Sequence, residues 1–231
     1  GERLSPALVS AAFSACGLPA ELVDARRVMI TDDGFTRAAP RLDAIAHAAG
    51  ETLRPLVDGG RVPVLAGFIG ATAQGVTTTL GRGGSDYSAS LLGAALEVEA
   101  IEIWTDVDGI LTADPRVVPA ARVLEQVSFD EASELATFGA KVLHPSTIAP
   151  AVRHGIPVFV LNARRPEGKG TRITSDAPAR PVTALTQARV AGSFAVVSLT
   201  SMSTIRPSSF MTNFTDTMLP PTGLAFCSMT I

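Results

Sequence analysis

The sequence predicts an α/β fold, a sandwich of helices on a mostly parallel sheet. Three observations predict it. Short apolar runs of strand length alternate with longer runs of helical period. The connections between them are short and marked by Gly, Pro and Asp. A glycine-rich stretch, "TTTLGRGGSDY", stands directly before an apolar helical run.

The elements follow in order. Residues 6–16 and 42–53 read as helices, the second ending near the turn at Asp58, Gly59 and Gly60. Residues 61–68, "RVPVLAGF", form a short apolar run that suits a buried strand. In the glycine-rich stretch, Ser85 is a good N-cap and Asp86 would fall in the first turn, where a helix favours negative charge. The next strand holds Ile101, Ile103 and Trp104, stops at Thr105 and Asp106, and turns at Asp108 and Gly109. Ser128 with Glu131 three residues later is a capping box that opens another helix. "HGIPVFVLNA" is again a buried strand. In sheets of this kind ligands bind beyond the carboxyl ends of the strands, which predicts residues 67–70, Thr105, Asp106 and Asn162 on one edge. A break in composition at residues 175–182, "SDAPARPV", reads as a linker. "SFAVVSLTS" after it reads as the first strand of a second, smaller domain, and the Thr-, Ser-, Met- and Pro-rich remainder shows no helical period.

Composition narrows the function classes. The chain has 231 residues and a net charge of -3, enough to bury a real core in one large or two unequal domains. No run approaches a membrane span, no signal peptide is visible, and the lack of basic clusters argues against a nucleic-acid surface. Cys16 and Cys227 are far apart, and His47, His144 and His154 have no ligand spacing, so neither a disulfide framework nor a protein-held metal is expected. This cysteine usage suits a reducing cytoplasm.

Chemistry concentrates in a few stretches. Gly81, Gly83 and Gly84 allow close approach to the backbone, and Arg82 beside a helix N-terminus makes an anion site. The same residues would also make a tight turn with a capped helix. Asp106 at a strand end could accept from a sugar hydroxyl or a base amine or help hold hydrated magnesium, or it could simply cap the "DVDG" turn. Arg116 follows the Asp-Pro turn in "TADPR" and could reach a phosphate, or be a solvated surface arginine. Lys141 could neutralise a phosphate, or partner a helix C-terminus.

Together, "GFIGATAQGVTTTLGRGGSDYSASLLGAAL", "EIWTDVDGILTADPR" and "FDEASELATFGAKVLHPSTI" resemble the aspartate kinases of the amino-acid kinase superfamily. The resemblance runs from about Gly1 to Thr174, and "GERLS" resembles their aspartate-binding segment. It implies a three-layer sandwich and transfer of the ATP γ-phosphate to the side-chain carboxylate of L-aspartate, the first step toward lysine, threonine and methionine. Residues 1–176 would be the C-terminal portion of the catalytic domain, and residues 177–231 a linker and a partial α+β region like the family's ACT domains. Arg82, Gly83, Gly84, Ser85 and Asp86 would hold aspartate, with Glu2 on its ammonium group. Thr105, Asp106, Leu111, Arg116, Lys141 and Val142 would meet the nucleotide, and Mg2+ would arrive with ATP. Lysine or threonine would be the feedback effector, and a homodimer the assembly.

Two departures qualify this. The family's opening strand and its phosphate-binding lysine loop have no counterpart here, so a fragment incompetent by itself is expected. Leu111 stands where the family commonly has a tyrosine. A kinase acting on glutamate or acetylglutamate, or a non-catalytic nucleotide- or effector-binding chain, are the alternatives.

Overall fold

Strand length and helix spacing explain the elements of this computed structural model, which describes residues 1–137, 145–178, 184–190 and 193–199. Helix α1 (Ser5–Ala15) carries Pro6 in its first turn, where a missing N–H costs nothing, and turns Pro6 and Ser10 inward. Strand β1 (Ala20–Leu22) leads to a short 3-10 turn capped by Asp24, then β2 (Ile30–Thr31). Helix α2 (Leu42–Thr52) buries Ile45 and Ala49, one turn apart on one face. A separate short helix α3 (Arg54–Asp58), with Pro55 near its start, carries the chain to the expected turn.

The expected strand over 61–68 is shorter. β3 is Val62–Val64, and β4 (Ile69–Thr72) starts only after Phe68, whose φ of 68° breaks the extended path. The threonine run is itself a strand, β5 (Thr77–Thr79), antiparallel to β4. Thr78 points inward and shares a hydroxyl hydrogen bond of 2.7 Å with Thr31. Helix α4 (Gly84–Leu96) is followed by β6 (Ile101–Thr105), β7 (Gln126–Ser128), α5 (Phe129–Thr137), α6 (Pro145–Arg153), β8 (Val158–Asn162) and β9 (Thr171–Thr174). Strands β10 (Ala184–Val190) and β11 (Ser193–Leu199) pair antiparallel, so the strand expected at "SFAVVSL" has a partner just before it that the sequence reading missed. Residues beyond 199, where the rest of an ACT-like region was expected, lie outside the described residues.

The described strands form four separate sheets of mixed pairing, and the chain path explains the mixture. The parallel pairs β1–β3, β2–β4, β6–β8 and β7–β9 are each separated in sequence by other elements. The antiparallel pairs β4–β5, β8–β9 and β10–β11 join consecutive strands. The largest ladder has the order β6-β8-β9-β7. Its buried side, with Val127, Val158, Val160 and Ile173, packs with Leu135 of α5 and Ile148 of α6. Helices α2, α4, α6 and α5 lie side by side in that order. α4 is the keystone of this row: Leu91 packs with Met29 and Ile45, while Leu92 and Leu96 pack against Val28 and Leu53. Each such aliphatic side chain contributes about 1.5–3 kcal/mol when fully buried. No described helix is long and apolar enough to cross a membrane.

Candidate functional site

The N-terminus of α4 is one half of the site. Its cap is Gly83, held in the left-handed region at φ 68°, and no side chain caps the turn. This corrects the expectation for Ser85. A left-handed glycine starts the helix earlier than a serine in extended conformation would, so Ser85 is the second helical residue and lies exposed. Asp86 does fall in the first turn. The Gly84 N–H is taken by the Gly81 carbonyl at 3.0 Å, while the Ser85 and Asp86 N–H groups, free of any side-chain cap, remain open to an anion. Arg82 is exposed beside them, and among the described residues nothing pairs with its guanidinium. Burial pushes the Asp86 carboxyl above its ordinary range.

The loop between β3 and β4 leans on this turn. A Cβ on Gly67 would stand 2.9 Å from the Ser85 Cα, a backbone contact that cannot yield. Phe68 follows in the left-handed region, which non-glycine residues rarely occupy. Its N–H donates to Ser88 Oγ at 3.0 Å, and its carbonyl accepts from the Leu80 N–H at 2.9 Å. Strained residues of this kind gather at ligand sites. Sequence reasoning missed Phe68, and its only trace there is the bracket of Gly67 and Gly70.

The second half lies at the carboxyl ends of β6 and β8. Thr105 and Asn162 are paired in the ladder, and the Ala163 N–H donates to the Thr105 carbonyl at 2.8 Å. Thr105 Oγ1 donates to Asp106 Oδ1 at 3.3 Å, and Asp106 is exposed. Asp108 reaches across to Asn162 and Arg165. A cleft of about 380 Å³ opens here, lined by Asp108, Glu125, Asn162, Arg165 and Lys169 among others. Leu111 is half-buried in a bridge to Val123. Arg116 is exposed and forks onto Asp114, with Nε and Nη2 at 3.2 and 3.0 Å from its two oxygens. Lys141 and Val142 lie outside the described residues.

The two halves face one end of the molecule. α4 runs from Gly84 to Leu96, the chain reverses at left-handed Glu97, and β6 runs back to Thr105 with Ile101 packed on Gly93. The start of the helix and the end of the strand therefore share an end. Residues 67–70 were expected on the same sheet edge as Asp106. They belong to a different ladder: Gly67 and Phe68 touch the start of α4, while Gly70 lies against Met29 and Thr31. Glu2 is exposed in the turn before α1, and no described contact joins it to Arg82. Among the described residues no group of three or more His, Cys, Asp or Glu converges as a metal site.

Comparison with known proteins agrees with this architecture. Over 173 residues the chain is 49% identical to the lysine-sensitive aspartokinase 3 of Escherichia coli, covering 75% of this chain and 38% of that protein. It is 42% identical over 177 residues to an aspartokinase of Pseudomonas aeruginosa, covering 76% and 42%. Among solved structures, E. coli aspartokinase III in complex with aspartate and ADP superposes with a TM-score of 0.76 at 47% identity, covering 81% of this chain and 42% of that one. The same enzyme in complex with lysine and aspartate gives 0.74 at 46%, over the same shares. The chain thus spans about two fifths of the length of the relatives it matches. The amino acid kinase family model matches residues 1–162, well over half of the sequence, and the chain belongs to the amino acid kinase family.

Proposed function

We propose that this chain is part of an aspartate kinase, which moves the γ-phosphate of ATP to the side-chain carboxylate of L-aspartate. The observation that carries the reading is the uncapped start of α4 with the unpaired Arg82 beside it. A planar guanidinium and open N–H groups suit a carboxylate. The similar E. coli enzyme was crystallised with aspartate and ADP, which supports the same pair of ligands here.

Arg82, Gly83, Gly84 and Ser85 would grip the substrate carboxylate. Asp86 and Glu2 would meet its ammonium group. A carboxylate raised by burial and lacking a partner gains most from an incoming cation, which supports this role for Asp86. Thr105, Asp106, Leu111 and Arg116, with Lys141 and Val142, would meet the nucleotide. Mg2+ would sit mainly on the nucleotide phosphates and water, because the described side chains supply no three-carboxylate cage. Catalysis would then rest on positioning and charge neutralisation. Residues 1–176 would serve as the catalytic portion, and residues 177–231 as the linker and start of a regulatory region. Lysine is the favoured effector, since the E. coli relatives are named lysine-sensitive and complexed with lysine.

The test is an assay of the full-length protein with MgATP and a panel of aspartate, glutamate and N-acetylglutamate, trapping the acyl phosphate with hydroxylamine. Turnover confined to aspartate is expected. Preference for glutamate or acetylglutamate would overturn the substrate assignment.

A further inference from the structure

Asp108 stands two residues beyond Asp106 and behaves unlike three other turn aspartates. Asp24, Asp32 and Asp114 each accept from a backbone N–H two residues ahead, the local habit of aspartate in turns. The Asp108 carboxylate instead spans to another element. Oδ1 accepts from Asn162 Nδ2 at 2.6 Å, 54 residues away, and Oδ2 pairs with Arg165 Nη2 at 2.5 Å. Asn162 is the last residue of β8 and only 5% exposed. Its own oxygen accepts the Arg164 N–H at 2.8 Å, so both ends of its amide are committed.

The loop after β6 is thereby tied to the loop after β8 by side chains, in addition to the backbone bond from Ala163 to Thr105. Loops at strand ends are held by few contacts, and ordering them on binding costs affinity. A fixed carboxylate at this place removes that cost in advance.

We infer that Asp108 is a positioning residue: with Asn162 and Arg165 it holds the carboxyl ends of β6 and β8 in register, so that Thr105 and Asp106 are preset for a nucleotide. The inference rests on the nucleotide half of the proposed function and is independent of the acceptor. Asp108 itself touches no reacting atom in this role.

The experiment uses the full-length protein and its affinity for MgADP, measured by titration calorimetry, beside KM for ATP, KM for aspartate and the melting temperature. Asp108→Ala should weaken MgADP binding and raise KM for ATP by about five- to twentyfold, because small displacements at a preset site are costly. KM for aspartate should stay within about twofold, since its proposed groups lie at the start of α4 and before α1, away from this loop. Asp108→Asn keeps an acceptor for Asn162 but loses the Arg165 pair, and should fall between. Should Asp108→Ala fail to fold, Arg165→Met breaks only the pair at the more exposed end and carries the same readout. Unchanged MgADP affinity in a folded variant, or an equal rise in both Michaelis constants, overturns the inference. A wild type that binds no MgADP overturns it together with the nucleotide assignment. A wild type that binds MgADP without phosphorylating aspartate removes the acceptor assignment alone, and the variants' MgADP affinities still decide the role of Asp108.

Discussion

Ser88 Oγ accepts the Phe68 N–H at 3.0 Å and donates to the Gly84 carbonyl at 2.7 Å. One hydroxyl thus anchors a left-handed residue to the first turn of α4. Ser88→Ala removes the acceptor and leaves the Phe68 amide unsatisfied beside a packed helix. The expected loss is about 1–3 kcal/mol of stability, read as a lower melting temperature or denaturation midpoint. Because the same loop leans on Ser85, KM for aspartate should rise more than KM for ATP. A variant as stable as wild type with both constants unchanged would show that the strain at Phe68 is held elsewhere.

Arg82→Lys in the full-length protein tests the α4 half of the site. Lysine keeps the charge but loses the planar fork that matches a carboxylate. Losing one charge-assisted hydrogen bond should cost about 1.5–3 kcal/mol, roughly a ten- to hundredfold rise in KM for aspartate. KM for ATP should move much less. Equal damage to both constants in a stably folded variant would put this loop on a different ligand.

Asp24 gives the fold a pH dependence. Its carboxylate takes Nε and Nη2 of Arg26, the latter at 2.5 Å, and these bonds hold its pKa down to about 2 from an ordinary 3.8. A depressed carboxylate stabilises the fold above its unfolded value and loses that contribution as pH falls from about 4 through about 2. The pair is about a third exposed, so solvent screening limits the effect to about 0.5–1 kcal/mol. Asp24→Asn should therefore be less stable than wild type at pH 6, with the gap closing toward pH 2. A gap of constant size across that range would assign the loss to packing and not to charge. Arg26 also donates through Nη1 to Thr77 Oγ1 at 3.2 Å, so the pair reaches β5.

Local signals read from the sequence survived best. The Ser128 and Glu131 capping box forms in both directions, with the Ser128 N–H donating to Glu131 at 2.7 Å and the Glu131 N–H to Ser128 at 3.0 Å. Its partners are three residues apart, so spacing alone specifies it. The starts of α1 and α2 and the end of β6 were legible for the same reason. What failed depended on distant chain. Thr77, Thr78 and Thr79 look like a loop until β4 offers them an antiparallel partner. Ser85 looks like a cap until Gly83 takes the left-handed conformation and begins the helix earlier. Phe68 sits inside an apolar run that alone predicts a continuous strand, and only its packing against Gly84 reveals the break. Asp108 was read as turn chemistry because Asn162 and Arg165 are more than fifty residues away. The alternation of elements gave the fold class, while tertiary contacts decided which polar groups were free for a ligand.

The position of β8 governs the motions of the loops at the carboxyl ends of β6 and β8. β8 pairs with β6 on one side and β9 on the other, so its amides are shielded along both edges of the strand. Freeing them to exchange with solvent deuterium requires separating two ladders joined across the Val158, Val160 and Ile173 core. The exposed Leu4 just before α1 and Leu8 within it, at 70% and 72%, mark the opposite extreme, a helix held along one narrow stripe. Opening free energies should therefore rise from α1 toward β8. Breathing of the strand-end loops can then proceed above a slowly exchanging strand, without the sheet having to open.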